Sequence, residues 1–165
     1  MYKCLLSKFS HILYIQIWEN RIKVTNVNNG AIFDERPLVA ITTKDNGQKV
    51  ISAIGNDAVL AESMNNTKIV NPFSHPRTLL SDFEMAERLF RYVFQILHGK
   101  AFFIPTPKVV IHPMEKTEGG LTMIEKRAFR ELALGAGAYD SVVYVGDEIF
   151  IKDFNYKSIK DSKSD

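Results

Sequence analysis

Histidine and cysteine, the residue types that most often bind metals or act as nucleophiles, do not form a recognisable site in this sequence. A zinc site needs several such side chains at short, regular spacing, and a nucleophile needs an activating base beside it. Cys4 is the only cysteine, and the sequence around it offers no evident base. The histidines are scattered, with neither an i,i+4 pair nor a neighbouring carboxylate cluster: His11, His75, His98 and His112. We therefore predict no metal and no cofactor.

Glycines could cradle a phosphate group, but those of this chain lack the required pattern. Gly119 and Gly120 do not belong to a G-x-x-x-x-G-K-[ST] loop. They precede a predicted helix, as a flexible turn would. Gly135 and Gly137 follow a helical pattern and indicate helix termination and close packing.

Glu125 is a carboxylate in the first turn of a predicted helix. A carboxylate can activate water for attack on phosphate only where phosphate and metal are fixed beside it. Thr122-Met123-Ile124-Glu125 is also a capping box, in which Glu125 accepts a hydrogen bond from the Thr122 amide. We favour the helix cap and predict no catalytic residue.

Length and composition indicate one globular domain. The chain has 165 residues, of which 45% are apolar and 24% charged. Its 21 basic and 19 acidic residues give a net charge of +2, so nucleic-acid binding is not expected. No apolar run reaches the ~20 residues of a membrane-spanning helix. A single cysteine excludes an intrachain disulfide and favours a reducing compartment, so we expect a cytoplasmic protein.

The first nine residues have the composition of a segment that touches a membrane without crossing it. Leu5, Leu6 and Phe9 are interspersed with Lys3 and Lys8, as in a short basic amphipathic segment on an anionic membrane surface. The absence of a small-residue cleavage site argues against a secretory signal. A frayed leader whose apolar residues cover the first strand remains an equal alternative.

Runs of β-branched and aromatic residues predict a mixed α/β sheet of about five strands. The expected strands of this sheet are Tyr14–Trp18, Arg21–Val27, 31–33, Lys108–His112 and Ser141–Val145. Leu38–Thr43 and Lys49–Ile54 are expected to form a second hairpin. Turns are expected at Glu19-Asn20 and at Asn28-Asn29-Gly30. The nearly continuous apolar run between Pro107 and Pro113 is typical of a strand covered on both faces.

Apolar residues three and four positions apart predict a helix over Asp82–His98. Ser81 and Glu84 have the spacing of a capping box, and Gly99 supplies the stop. A short helix is also expected over Asp57–Met64.

The next predicted helix spans Thr122–Leu134 and ends at Gly135 in a left-handed conformation. Its expected buried stripe consists of Leu121, Ile124, Ala128 and Leu132. Strands and helices that alternate in this half of the chain require right-handed crossovers and a parallel edge.

Four segments resemble, in the same order, those of the MreB/Mrl family of bacterial actin-like, rod-shape-determining proteins. They are Pro37-Leu38-Val39-Ala40-Ile41, Ala53-Ile54-Gly55-Asn56-Asp57-Ala58, Pro105-Thr106-Pro107-Lys108-Val109-Val110 and the helix Ile124–Glu131 with its Gly-Ala-Gly-Ala end. The resemblance implies the first half of a ribonuclease-H-like, actin-like fold over residues 10–146. Residues 36–71 would form a small inserted α+β subdomain, and residues 147–165 a divergent tail.

The resemblance also implies where a nucleotide would bind. In family members a turn reading Asp-Leu-Gly-Thr approaches the phosphates, and its aspartate helps to organise the metal. Gln16-Ile17-Trp18-Glu19 stands at the matching place. Trp18 brings bulk where bare backbone is needed, Glu19 brings negative charge towards phosphate, and Gln16 cannot replace the aspartate by charge. We predict a degenerate phosphate turn.

The family carries, at the position of Glu125, a glutamate thought to position or activate the attacking water. Its second phosphate turn and its adenine-binding glycines lie beyond the end of this sequence, which implies a truncated relative. We expect an interaction module of the cell-shape cytoskeleton that does not hydrolyse nucleotide. Its expected partner is a full-length actin-like filament protein or the cell-shape machinery, at the inner face of the cell membrane if the leader binds lipid. The alternative is one half of a split ATPase that a second polypeptide completes, with Glu125 catalytic.

Aromatic residues after the last predicted strand have two interpretations. Phe150, Phe154 and Tyr156 either fold back over the surface that truncation uncovers, which we favour, or contact a partner. The last residues, from Lys160 to Asp165, are expected to be disordered.

Overall fold

The computed structural model describes residues 11–98 and 106–162 of the chain. Its main sheet contains β1 (Ile12–Trp18), β2 (Arg21–Asn26), β3 (Ile32–Glu35), β7 (Lys108–Pro113) and β8 (Asp140–Val143). The strand order is β3-β2-β1-β7-β8. The pairs β1–β2 and β2–β3 are antiparallel, whereas β7 lies parallel to both β1 and β8. The predicted mixed five-stranded sheet is therefore confirmed.

Short polar turns join the antiparallel strands of this sheet. Trp18 pairs with Arg21 in the first hairpin, which leaves a two-residue turn that begins at Glu19. In the next turn, the N–H of Gly30 donates to the Asn26 carbonyl over 2.8 Å. Gly30 has a φ of +75°, a left-handed backbone that glycine adopts without steric cost. Both turns lie where the sequence predicts them.

A second, smaller sheet occupies residues 39–70. Its antiparallel strands are β4 (Val39–Thr43), β5 (Lys49–Ile54) and β6 (Thr67–Val70), in the order β5-β4-β6. Helix α1 (Asp57–Ala61) packs Ala58 and Ala61 against Ala40 and ends three residues before the predicted Met64. The sequence does not predict β6, since four residues are too few for alternation to show.

Helix α2 (Phe83–His98) presents one apolar face to the main sheet, as its spacing predicts. Its buried residues are Ala86, Leu89, Phe90, Val93, Phe94 and Leu97. The predicted Ser81 capping box is wrong, because the Ser81 hydroxyl donates to the Pro72 carbonyl over 2.9 Å. Asp82 caps the helix instead and accepts the N–H of Met85 over 3.1 Å. The predicted stop, Gly99, lies outside the described residues.

Helix α3 (Met123–Gly135) buries only part of the predicted stripe. Leu132 is buried as predicted, together with Phe129 and Ala133. Leu121 packs against the core and Ala128 is half-buried, whereas Ile124 is 81% exposed. Ile124 lies in the first turn, on the side of the helix that faces water, so counting it as core was wrong.

The predicted left-handed cap of α3 was also misplaced. Gly135 is the last helical residue, and the left-handed position is Gly137, with a φ of +110°. The Gly135 carbonyl accepts a hydrogen bond from Arg91 of α2 over 2.9 Å. A carbonyl at a helix end needs such a partner, so this bond joins the two helices as well.

Different elements cover the two faces of the main sheet. Leu13, Ile15 and Ile17 alternate along β1 and face the larger core, which α2 and α3 complete. Tyr14 belongs to the opposite face, with Val110 of β7. Successive residues of a strand point to opposite faces, so the central strands bury side chains on both faces of the sheet.

The C-terminal segment packs on this second face. After β8 the chain forms a 3₁₀ turn (Ile151–Asp153) and helix α4 (Tyr156–Asp161). Ile159 of α4 is buried against the sheet. Asn155 caps α4 by accepting the N–H of Ser158 over 3.0 Å.

The expected disorder from Lys160 onward is wrong for the residues that the structure describes. Lys160 and Asp161 belong to α4, and Lys160 forms an ion pair with Asp140 of β8. The charged sequence alone hides this helix, because its contacts are made with a distant strand. Residues 163–165 lie outside the described part of the chain.

Candidate functional site

Trp18 ends β1 and is half-buried at the first turn. The Arg21 guanidinium lies over its ring, 4.9 Å from the ring centroid, within the range of a cation–π interaction. Two nitrogens of Arg21 donate to the two carboxylate oxygens of Asp34 over 2.7 and 2.6 Å. This bidentate pair raises the pKa of Arg21 and lowers that of Asp34. The Trp18 indole therefore packs against the Arg21 guanidinium, and Asp34 of β3 holds that guanidinium in place.

Glu19 is bound by residues from two other loops. Its side chain accepts hydrogen bonds from the Lys116 ammonium over 2.9 Å and from the Ser74 hydroxyl over 3.0 Å. Its backbone N–H donates to Glu115 Oε2 over 2.7 Å, and its carbonyl accepts from the Asn71 side-chain amide over 2.8 Å. The hydrogen bond from Lys116 lowers the pKa of the Glu19 carboxyl, so the carboxylate is ionised at neutral pH.

These contacts determine what the turn can do chemically. A phosphate-binding turn offers a ligand backbone N–H groups and a positive charge. Here the Glu19 N–H donates to a carboxylate, and the Lys116 ammonium bonds both to Glu19 and to the His75 carbonyl. Both groups that attract anions are therefore engaged, and the carboxylates of Glu19 and Glu115 repel phosphate oxygens.

Gln16 is buried on β1 and faces the segment that follows β8. Its side-chain amide donates to Oε1 of Glu148 over 2.9 Å. An aspartate at this position would place a second negative charge beside Glu148, whereas the neutral amide donates a hydrogen bond to that carboxylate. This hydrogen bond joins the segment after β8 to the central strand.

A buried polar pair, Tyr14 and His112, lies beside Gln16. The Tyr14 hydroxyl and His112 Nδ1 are 2.6 Å apart, and His112 Nε2 lies 2.8 Å from the Gly146 carbonyl. The Ile149 N–H donates to the same hydroxyl over 3.3 Å. Burial raises the pKa of Tyr14 to about 12 and lowers the pKa of His112. A neutral His112 that carries its proton on Nε2 satisfies the whole chain of contacts.

Sequence reasoning missed this pair as a unit. The one available signal is a histidine within an otherwise apolar strand, since buried polar side chains need partners. The identity of the partner is not visible in the sequence, because Tyr14 precedes His112 by 98 positions.

Glu125 forms both hydrogen bonds of the predicted capping box. Its Oε2 accepts the Thr122 N–H and the Thr122 hydroxyl, each over 2.8 Å. The Glu125 N–H donates to Thr122 Oγ1 over 3.2 Å. The bond from the Thr122 backbone lowers the pKa of Glu125, so the carboxylate that accepts these bonds is charged.

The three aromatic residues predicted as contacts differ in accessibility. Tyr156 is only 8% exposed, so it belongs to the fold and cannot be a free contact residue. Phe154 is half-buried, with its ring 5.2 Å from that of Tyr14. Phe150 is 68% exposed and stays a candidate contact residue. The favoured fold-back over the sheet therefore describes Tyr156 and Phe154 but not Phe150.

The proposed membrane contacts Leu5, Leu6 and Phe9 lie outside the described residues. Within residues 11–98 and 106–162, no helix is long and apolar enough to cross a membrane. The same residues contain no cluster of three metal-binding side chains.

Comparison with known proteins identifies the family. A family model described as MreB/Mbl protein matches residues 14–151. The chain belongs to the MreB/Mbl family. The cell shape-determining protein MreB of Pasteurella multocida is 28% identical over 151 residues, which cover 90% of this chain and 41% of that protein. The chain thus spans about two fifths of the length of this MreB relative.

Solved structures show the actin-like fold of this MreB-family chain. MreB5 of Spiroplasma citri bound to AMPPNP superposes with a TM-score of 0.65 at 18% identity, covering 83% of this chain and 39% of that one. The MamK double helical filament gives a TM-score of 0.59 at 17% identity, covering 82% and 41%. At such identities the likeness concerns the fold alone, and the predicted actin-like fold is confirmed.

Proposed function

We propose that this MreB-family chain is an interaction module of the bacterial cell-shape cytoskeleton that does not hydrolyse nucleotide. The observation that carries the proposal is the Glu19–Lys116 ion pair, at 2.9 Å, in the turn next to Trp18. This ion pair supports the proposal because the Lys116 ammonium is paired with Glu19 and is not available to bind a phosphate. The MreB relatives are cell shape-determining proteins, and MamK, a structural neighbour, forms a double helical filament.

The proposed partner is a full-length actin-like filament protein, in the cytoplasm or at the inner face of the cell membrane. A module whose charges in the turn next to Trp18 are paired within the protein can contact a filament without hydrolysing nucleotide. Such a contact would change the growth of the filament or the dynamics of its ends.

Co-sedimentation with full-length MreB from the same organism tests this proposal. We expect the chain to change the mass, length or end dynamics of the MreB filaments. Glu125→Gln is the matched variant, because glutamine also serves in a capping box and preserves α3. It should act on the filaments as the wild type does. Filaments that are unaffected by the wild-type chain would contradict the proposal.

A split ATPase is the second candidate function. It is favoured by Glu125, whose carboxylate lies in the first turn of α3, at the position where the family resemblance implies a glutamate that positions the attacking water. This function predicts Mg-ATP binding by calorimetry once a polypeptide that corresponds to the unmatched part of MreB is added. It also predicts that Glu125→Gln abolishes hydrolysis while the mixed complex stays folded. Absence of binding in the mixture would exclude this candidate.

A further inference from the structure

One titratable side chain, His112, joins the residues after β8 to the central strands of the main sheet. His112 lies on β7 and is 1% exposed, and its Nε2 is 2.8 Å from the Gly146 carbonyl. Its other ring nitrogen, Nδ1, is 2.6 Å from the Tyr14 hydroxyl, to which the Ile149 N–H donates over 3.3 Å. We call these four residues, Tyr14, His112, Gly146 and Ile149, the His112 cluster.

The protonation state of the ring decides whether the hydrogen bonds of the His112 cluster are satisfied. The Gly146 carbonyl can only accept, so Nε2 carries a proton. In the neutral ring Nδ1 is then an acceptor, and the Tyr14 hydroxyl donates to it while it accepts from Ile149. Each of these groups therefore has a partner when His112 is neutral.

Protonation of His112 adds a proton at Nδ1 and removes this acceptor. The ring N–H and the Ile149 N–H then donate to the same Tyr14 oxygen, and the Tyr14 proton no longer has an acceptor at Nδ1. A buried donor without a partner is costly, because in contact with water it would form a hydrogen bond. The charged ring therefore favours a structure in which residues 146–149 leave the sheet and water reaches Tyr14.

Three titratable side chains surround the ring: Tyr14 on β1, and Tyr144 and Glu148 after β8. The Tyr144 ring contacts the His112 ring edge to face, with centroids 4.8 Å apart. Glu148 attracts an imidazolium and raises the pKa of His112, as the hydrogen bond to Gly146 does, but burial lowers that pKa by more. The pKa of Tyr14 is raised to about 12, so Tyr14 keeps its proton. The ring is therefore neutral at neutral pH.

Charged groups on the neighbouring strands are engaged elsewhere. Lys108 of β7 lies over an aromatic ring of α4, 5.7 Å from its centroid, and Asp140 of β8 pairs with Lys160. Among the residues that the structure describes, Glu148 is the one charged side chain that acts on the pKa of His112. Acid therefore affects the His112 cluster through the imidazole itself and through Glu148.

We propose that the His112 cluster is an acid-sensitive switch, in which protonation of His112 frees residues 146–149 from β1 and β7. The contact is fully formed above about pH 6.5, the ordinary pKa of histidine, and is lost as the pH falls through the lowered pKa of the folded state. The second face of the main sheet around Tyr14 then becomes accessible. The strands β1, β2 and β7 stay paired, because backbone hydrogen bonds join them.

Hydrogen exchange of the Ile149 amide tests the switch, measured by NMR from about pH 5 to about 7.5 and corrected for the intrinsic exchange rate. Release that takes up one proton should lower the protection of Ile149 by about tenfold per pH unit below about pH 6.5. The amides of β2 should keep their protection. Protection of Ile149 that is independent of pH, or an equal loss of protection in β2, would overturn the proposal.

Two histidine variants show whether His112 is responsible. His112→Gln keeps a donor and an acceptor at this position but cannot titrate, so the protection of Ile149 should no longer depend on pH. His98→Gln is the matched control, since burial also lowers the pKa of His98 but this residue lies at the end of α2. It should keep the wild-type pH dependence at Ile149. The same pH dependence in His112→Gln as in the wild type would count against the switch.

Glu148→Gln provides a test that leaves the imidazole in place. Glu148 is exposed, and glutamine can still accept from Gln16, so the fold should be unchanged. Loss of the charge that favours the imidazolium should move the midpoint of the pH dependence at Ile149 to lower pH. The ¹⁵N signals of the His112 ring should shift over the same pH range. A midpoint that stays or rises, or a ring that titrates without any change at Ile149, would contradict the proposal.

Discussion

Replacing Glu125 distinguishes a helix cap from a catalytic carboxylate. Glu125→Ala removes the acceptor of two hydrogen bonds from Thr122, one from the N–H and one from the hydroxyl, both over 2.8 Å. Glu125→Gln keeps an oxygen in the same place and loses only the charge. The two substitutions therefore remove different parts of the same interaction.

The expected cost follows from the geometry of this cap. A lost capping interaction destabilises a protein by about 1 kcal/mol, within a range of about 0.5–2. For a chain of this length, that free energy lowers the melting temperature by about 2–4 °C. Glu125→Gln should cost less than half as much, because the oxygen still accepts from Thr122. Thr122→Ala should cost a similar amount to Glu125→Ala, and the double variant less than the sum.

Urea unfolding followed by circular dichroism measures these differences. The pKa of Glu125 is lowered in the folded state, so its stabilising effect is present above the ordinary value of 4.5 and is lost as the pH falls. The difference between wild type and Glu125→Gln should therefore shrink in acid. Equal unfolding midpoints for the wild type and Glu125→Ala at neutral pH would refute the capping role of Glu125. They would also remove our reason for assigning Glu125 no catalytic role.

Further predictions concern the buried polar pair and the core. Tyr14→Phe should destabilise the fold by about 1–3 kcal/mol, because His112 and the Ile149 N–H lose their hydrogen-bond partner. Hydrogen exchange of the backbone amides after β8 should become faster, and unchanged exchange there would contradict the contact. The pKa values of His98 and His112 are lowered by burial, so stability should be full above about pH 6.5 and fall on acidification, which urea midpoints across pH would show. Phe129→Ala, in the core, should cost about 3–5 kcal/mol, whereas Met123→Ala on the same helix should stay within about 0.5 kcal/mol in urea unfolding.

Features determined by neighbouring residues could be predicted from the sequence. The apolar spacing of α2 fixes the face that packs on the sheet, and the Thr122–Glu125 pair marks the start of α3. The first hairpin follows from two β-rich runs around the Glu19-Asn20 turn. In each case the pattern and the interaction lie within a few residues of one another.

The errors arise where a distant contact selects between local alternatives. Ser81 and Asp82 are both residue types that cap helices well. The Ser81 hydroxyl donates to the Pro72 carbonyl, and Asp82 accepts the N–H of Met85 and caps the helix. Ile124 continues the apolar spacing of α3, yet it is exposed among the residues that the structure describes. The helix that contains Lys160 packs on a sheet face that its charged sequence does not reveal.

The contacts of Glu19 and Gln16 could not be predicted from the sequence. The sequence shows that Glu19 carries a charge, but its position relative to Lys116 and Ser74 depends on how three loops converge. The same holds for Gln16 and Glu148, which are 132 positions apart. The family resemblance indicates which turn to compare with a phosphate-binding turn, whereas only the folded structure shows which side chains contact that turn.

Fluorescence of Trp18 during titration with Mg-ATP tests the central claim most directly. Trp18 is the only tryptophan of the chain and lies next to Glu19, so its emission reports on this turn. Because the Glu19–Lys116 ion pair already satisfies the turn, we predict no saturable change in emission with Mg-ATP. A saturable change that competing ADP reverses would show that the turn binds nucleotide, and would contradict the account.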